Sequence, residues 1–131
     1  MSALEILQTH ALELAEATGL AVRVIPDGDR NFVLIEKAPI PPGVARVERA
    51  DLLFHADHQY PYSAMDMFWT EPEVVRVDGS VHQAAEAIEP YLGRSWRRFS
   101  WHRNGRWNPA RNGVMDHYAF VESRWTAEVR R

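Results

Sequence analysis

The 131-residue chain contains no cysteine. Without a thiol it has no disulfide framework, no thiolate zinc site, no iron–sulfur cluster and no cysteine nucleophile, so several classes of secreted protein and of enzyme are excluded. Long hydrophobic runs are missing too: residues 1–19 alternate apolar side chains with glutamate and histidine and carry no cationic segment, which argues against a signal peptide or a membrane span. We therefore expect a cytoplasmic protein that does not act at a membrane.

What the chain does contain is an ordinary globular composition, with 46% apolar and 25% charged residues. A chain of this length buries a sizeable core, and we expect one domain over residues 1–131. The charges are distributed unevenly: residues 1–93 hold 6 basic and 15 acidic side chains, whereas residues 94–131 hold 9 basic and 3 acidic ones. We expect the two parts to attract each other.

The basic part also contains four of the five tryptophans, Trp96, Trp101, Trp107 and Trp125. We expect these rings to pack on the core with arginine stems along its edge. The alternative is a basic, aromatic surface that binds nucleic acid. A pI near 6.0 and the lack of a recognisable RNA-binding module argue against nucleic acid as a partner.

Apolar spacing predicts a helix at the start of the chain, capped by Ser2 and stopped at Gly19. Two β-rich runs follow, Leu20–Pro26 and Asn31–Glu36, and the Asp-Gly turn between them predicts a hairpin. The pattern further predicts a third strand over Arg46–Ala56, a fourth over Met65–Trp69, and core or half-core positions for the apolar residues of the fourth.

The second half of the chain has weaker signals. Val81–Leu92 predicts at most a short helical stretch, stopped by Pro90. A wide apolar stripe predicts a last helix over Met115–Val129, with Asn112 as its cap. The fold class is therefore α+β: an N-terminal helix, a four-stranded antiparallel meander, an irregular stretch and a C-terminal helix.

This order of elements and two local motifs resemble the ubiquitin-conjugating enzyme (UBC) fold. Tyr60-Pro61, followed by Met67–Trp69 (MFW), is similar to the family's Tyr-Pro turn before its fourth strand. Residues 107–110 (WNPA) are similar to the Trp-x-Pro-Ala segment before the helix that follows the family's active-site loop. The resemblance covers about residues 2–125.

Residues 96–102 (WRRFSWH) and the pair Asp116-His117 most resemble a bacterial branch of UBC-like proteins. Members of that branch are typically encoded beside ubiquitin-like proteins, a ThiF-like activating enzyme and a JAB-type metallopeptidase. The resemblance therefore implies these proteins as partners and a role in phage defence. It implies no cofactor.

The chain departs from the family at the catalytic positions. In conjugating enzymes the nucleophilic cysteine precedes the tryptophan of Trp-x-Pro-Ala by about eight residues, and this window holds Phe99 and Ser100. Where the family has His-Pro-Asn, residues 89–91 read EPY, so the asparagine that stabilises an oxyanion is also missing. The resemblance therefore implies a branch that cannot form a thioester, and we favour a non-catalytic role.

Ser100 is the remaining candidate nucleophile. His102 lies two residues away, on the same face if the segment is extended, and is the candidate base that would take the hydroxyl proton. Asp116 and His117 are candidates to orient it. The alternative, which we favour because no nucleophile-elbow glycines flank Ser100, is a loop serine beside structural histidines.

His55 and His58, on either side of Asp57, raise the question of a metal site completed by a third histidine such as His82. A solvated histidine pair at the end of a strand is the commoner outcome. We therefore expect no metal.

The loop over residues 39–43 and the Tyr-Pro turn are candidates for partner binding, because activating enzymes and ligases dock near these loops in the UBC fold. The exposed members of Ile40, Pro41, Pro42 and Tyr62 would form that surface. The alternative is a rigid connection without a partner.

Three functions remain open from the sequence. The favoured one is a non-thioester component of a bacterial ubiquitin-like conjugation pathway, which binds the ubiquitin-like protein, its ThiF-like activating enzyme, or both. The second is a transferase that forms an oxyester through Ser100 with His102 as its base. The third is a nucleic-acid-binding module.

Overall fold

The computed structural model describes residues 1–129. Helix α1 (Ala3–Thr18) begins and ends where the sequence predicts. The Ser2 hydroxyl accepts a hydrogen bond from the Glu5 N–H and the Glu5 carboxylate accepts one from the Ser2 N–H, which forms a capping box. Gly19 ends the helix in the left-handed conformation, with a φ of 75°. Local chemistry therefore fixes both ends of α1.

The sheet has six antiparallel strands in the order β1-β2-β3-β4-β6-β5. The predicted meander forms its first four strands, and a hairpin of two more extends it beyond β4. The strands are β1 (Val22–Asp27), β2 (Arg30–Pro39), β3 (Arg49–Asp57), β4 (Phe68–Thr70), β5 (Ile88–Tyr91) and β6 (Arg94–Phe99). The α+β class is confirmed, and it is compatible with a UBC-like fold.

The structure corrects several predicted boundaries. Strand β3 begins three residues later than predicted, because residues 46–48 belong to the preceding loop, and β4 is displaced to Phe68–Thr70. The helical prediction for residues 81–92 is wrong, because its last part is strand β5. Pro90 fits there because β5 lies at the edge of the sheet, where a residue without an N–H is tolerated.

Helix α2 (Val114–Val129) matches the predicted last helix, but its cap does not. The Asn112 side-chain oxygen accepts a hydrogen bond from the Asn108 N–H instead of capping α2. Gly113 immediately precedes the helix, and its N–H donates to the carboxylate of Asp116, in the first turn, at 2.9 Å. The cap was misplaced because the asparagine side chain closes the preceding turn.

Each face of the sheet has its own apolar cluster. Both helices pack on one face, against residues that include Phe54, Phe68 and Phe99. The second cluster lies on the opposite face and contains no helical residue; its buried members are Phe32, Leu34, Leu53, Trp69 and Trp96. The expected burial of the C-terminal tryptophans is confirmed for Trp96, Trp101 and Trp125.

Ion pairs join the acidic and basic parts of the chain, as their opposite charges predict. Arg94 contacts Asp51 at 3.0 Å and Glu71 at 3.6 Å, and Arg98 contacts Glu89 at 2.8 Å. All of these side chains are partly exposed, so each pair contributes little to stability. Within residues 1–129, neither helix is long and apolar enough to cross a membrane.

Candidate functional site

The segment that follows β6 occupies the position where the resemblance places the nucleophile. Phe99 is fully buried, and the Ser100 N–H donates to the Ala84 carbonyl at 3.0 Å. The Ser100 hydroxyl oxygen accepts a hydrogen bond from Arg98 Nε at 2.9 Å. A guanidinium is always protonated, so it donates to the hydroxyl and does not take its proton.

His102 is directed to a different partner. Its Nδ1 lies 2.7 Å from Oδ2 of Asp66, and no hydrogen bond joins it to Ser100 in the described part of the chain. The two side chains of this pair are 64% and 48% exposed, respectively. The structure therefore pairs His102 with an aspartate that sequence reasoning missed, since the two residues are 36 positions apart and share no local motif.

The other two candidates have partners of their own. His117 is fully buried, and its Nε2–H donates to the Met67 carbonyl at 2.7 Å. Burial lowers the pKa of His117 to about 4, because the charged imidazolium would lose its hydration. Asp116 accepts the Gly113 N–H. Both side chains hold α2 in place, and neither is hydrogen-bonded to His102 within residues 1–129.

Glu89, at the position of the family's His-Pro-Asn, accepts hydrogen bonds on the outer face of the sheet. Its carboxylate receives the Trp69 indole N–H at 2.7 Å, the Tyr91 hydroxyl at 3.2 Å and Arg98 Nη1 at 2.8 Å. Burial raises the pKa of Glu89, but these donors and the arginine charge outweigh it, so the pKa lies below its usual value. The carboxylate fastens β5 to β4 and β6.

The two histidines considered for a metal site contact different partners. His55 stacks on Trp69 with ring centroids 3.6 Å apart, and its Nδ1 accepts a hydrogen bond from Arg30. Burial, together with the charge of Arg30, lowers the pKa of His55 to about 4. His58 Nε2 instead contacts the Gly28 carbonyl at 3.0 Å. Residues 1–129 contain no group of three or more side chains arranged to hold a metal ion.

The residues of the candidate partner surface differ in exposure. Ile40 is only 5% exposed and belongs to the core, whereas Tyr62 is 81% exposed. Tyr62 follows the Tyr60-Pro61 bond, which is cis, and the Pro61 carbonyl accepts the Trp107 indole N–H at 2.7 Å.

The Pro41–Gly43 loop borders a groove whose lining does not include Tyr62. Pro41 and Pro42 line it with the exposed side chain of Val77, and its volume is about 420 Å³. The exposed members of the predicted surface are therefore Tyr62 at the Tyr-Pro turn and Pro42 in this loop.

Sequence comparison assigns the chain to a family. The sequence model of prokaryotic E2 family E matches residues 8–128, which is most of the chain. The protein belongs to prokaryotic E2 family E. Searches of curated proteins and of solved structures found no match.

Membership in family E confirms the resemblance to bacterial UBC-like proteins and indicates an E2-like role in ubiquitin-like conjugation. An E2 enzyme ordinarily carries its acyl group on a cysteine, and this member of family E has none. The chemistry of its site therefore differs from that of an E2 with a thiol.

Proposed function

We propose that this protein is a thioester-free E2-like component of a bacterial ubiquitin-like conjugation pathway. It binds the ubiquitin-like protein, its ThiF-like activating enzyme, or both, without a covalent bond. The proposal also includes a cytoplasmic location, a JAB-type metallopeptidase as a further partner and a function in phage defence.

One observation carries the proposal: a chain of an E2 family has Ser100 where the nucleophile is expected, and the Ser100 hydroxyl accepts a hydrogen bond from Arg98. A serine needs a base to become a nucleophile, because its hydroxyl is protonated at neutral pH. With a guanidinium as its hydrogen-bond partner and His102 paired to Asp66, Ser100 lacks that activation. These contacts support a role in binding without a covalent intermediate.

Tyr62 is the residue we propose as the anchor for the partner. Large exposed aromatic side chains contribute disproportionately to protein interfaces, and Tyr62 is the most exposed aromatic residue described. Its backbone is held by the turn hydrogen bond from the Tyr62 N–H to the Gln59 carbonyl at 2.7 Å. A rigid turn that presents an exposed ring loses little entropy on binding.

Complex formation tests the proposal. The affinity-tagged protein is expressed from its own chromosomal locus, co-purified proteins are identified, and the purified ubiquitin-like protein and activating enzyme are then titrated by calorimetry. We expect a complex with at least one of them. The variant Tyr62→Ala should weaken it by about tenfold, whereas Ile88→Ala, which removes an exposed apolar side chain from β5, should leave it unchanged. Absence of binding to either protein contradicts the proposal.

Nucleic-acid binding is the competing function. Its support was the positive charge of the C-terminal part, and ion pairs neutralise some of that charge. Arg94 and Arg98 supply part of the positive charge of the C-terminal part, and both contact carboxylates. Salt-dependent binding to DNA or RNA, with no complex in the titration above, would favour this alternative.

A further inference from the structure

The Asp66–His102 pair has the geometry of a general base. Because a carboxylate only accepts hydrogen bonds, Nδ1 of His102 carries a proton, and in the neutral form of the ring the lone pair is therefore on Nε2. Nε2 has no hydrogen-bond partner within residues 1–129, and the His102 side chain is 64% exposed. An incoming group therefore has access to that lone pair.

Buried neighbours hold both members of the pair in position. Asp66 lies between Met65, which is 1% exposed, and Met67, whose carbonyl accepts the His117 Nε2–H at 2.7 Å. His102 follows Trp101, whose buried ring donates its N–H to the Gln83 carbonyl at 2.7 Å. The side chains are exposed while the adjacent backbone is fixed, which is how a reactive group is preorganised.

The residue next to Asp66 has a strained backbone. Met67 has a φ of 58°, a left-handed conformation that costs free energy for any residue with a side chain. Such strain persists only where the surrounding structure enforces it, and it is concentrated at functional sites. Here the hydrogen bond from His117 and the packing of Met67 on the outer-face cluster enforce it.

We propose that His102 is a general base for acyl transfer and that Asp66 is its positioning residue. The acyl donor is a thioester of the C-terminal carboxyl of a ubiquitin-like protein, held on a partner's cysteine, because this chain has no thiol. The acceptor is a primary amine. This inference rests on the proposed function, in which the chain binds the ubiquitin-like protein or its activating enzyme without a covalent bond.

A groove that includes Arg103, the residue after His102, has a lining that suits the end of such a donor. The groove has a volume of about 330 Å³. Its lining combines two arginines, polar side chains and an aromatic ring: Arg103, Asn104, Asp116, Phe120, Ser123 and Arg124. Cationic and aromatic side chains of this kind can hold the peptide segment that leads to the thioester.

The reaction balances without a cofactor. The amine nitrogen attacks the thioester carbonyl, a C–N bond forms, and the tetrahedral intermediate carries an ammonium proton. That proton passes to Nε2 of His102. The intermediate then collapses to the amide, the C–S bond breaks, and the departing thiolate takes the proton back from Nε2. The products are an amide and the partner's thiol, and His102 is again neutral.

Aminolysis of a small thioester tests the base. The full chain is incubated with the benzyl thioester of acetyl-glycyl-glycine and Nα-acetyl-lysine, and amide formation is followed by liquid chromatography and mass spectrometry. We expect His102→Gln to lower the rate above buffer by about 100-fold. His58→Gln removes an exposed histidine elsewhere and should keep the wild-type rate. A wild-type rate equal to buffer, or equal rates in the two variants, overturns the proposal.

The role of Asp66 has its own readout. Long-range ¹H–¹⁵N spectra should show His102 as the Nδ1–H tautomer in the wild type and a mixture of tautomers in Asp66→Asn, with a lower aminolysis rate. Asp66→Glu should restore both. An unchanged tautomer and rate in Asp66→Asn overturn the positioning role.

The two proposals fail separately. If the protein forms the complex, also as His102→Gln, but the wild type shows no aminolysis that depends on His102, only the general-base proposal is overturned. His102-dependent aminolysis without a complex overturns the proposed function alone.

Discussion

At Gly113 the first helix, the Tyr-Pro turn and the last helix come into contact. A Cβ atom at this position would lie 2.6 Å from Nδ1 of His10 and 2.9 Å from the hydroxyl oxygen of Tyr60, closer than side-chain carbons approach such atoms. A hydrogen bond joins these two side chains, so neither moves without losing a partner. Glycine is therefore required here for space.

We predict that Gly113→Ala lowers the free energy of unfolding by about 1–3 kcal/mol, as measured by urea denaturation. The same substitution in a His10→Ala background should cost less, because the closest atom is gone. An equal cost in both backgrounds, or no cost in either, contradicts the steric explanation.

At the scale of single residues, the sequence predicted one member of the Asp66–His102 pair and not the other. His102 was identified from the sequence because it lies two positions from Ser100, where the resemblance places the nucleophile. Asp66 was not, because its distance from His102 along the chain is closed only by the pairing of β4 with β6. The sequence indicated a base for Ser100, and the structure gives that base another partner.

At the scale of elements, His117 connects α2 to the segment that precedes β4. It donates to the Met67 carbonyl from a fully buried position and is neutral there, since burial lowers its pKa to about 4. An unfolded histidine titrates near 6.5. Between these pH values His117 is protonated in the unfolded chain but not in the folded chain. The free energy of unfolding therefore falls as the pH falls from about 6.5 to about 4.

We predict that His117 lowers the free energy of unfolding by about 2 kcal/mol when the pH falls from 7 to 5, because its pKa in the folded chain is about 4. His117→Gln keeps a donor for the Met67 carbonyl but does not titrate, so its stability should depend less on pH. His55, whose pKa burial lowers in the same way, retains part of the dependence. Urea denaturation at both pH values measures the slopes, and identical slopes for the two proteins contradict the prediction.

The elements that sequence reasoning recovered are those with local signals. The capping box defines α1, and the Asp-Gly turn defines the β1–β2 hairpin. The β5–β6 hairpin turns instead at Leu92-Gly93, with φ values of 55° and 74°. Leucine is not a usual residue for a left-handed position, so this turn has no clear signature in the sequence.

The side-chain pattern of strand β6 also does not predict a strand. Trp96 is buried on the outer face and Phe99 on the helix-covered face, so no simple alternation of apolar and polar residues marks it. Tertiary packing on both faces decides this strand, and that information is not local.

At the scale of the whole molecule, the two oppositely charged parts of the chain meet in one sheet. Carboxylates from the acidic part, Asp51, Glu71 and Glu89, contact Arg94 and Arg98 of the basic part. The charge asymmetry therefore has an internal role, and the pairing explains why a basic C-terminal part does not by itself indicate a nucleic-acid site.

The absence of cysteine has the widest consequence for the molecule. In a member of prokaryotic E2 family E it removes the thioester on this chain, and we propose that the chain binds its partner without a covalent bond. The mass of the intact protein is the most direct test of this account. The protein is incubated with ATP, magnesium, the ubiquitin-like protein and its activating enzyme, and is then resolved by size exclusion and weighed by mass spectrometry.

We predict that the protein elutes with its partner and keeps the mass of the free chain. A mass increased by that of the ubiquitin-like protein, removed by hydroxylamine and absent in Ser100→Ala, would contradict the account and establish an oxyester instead.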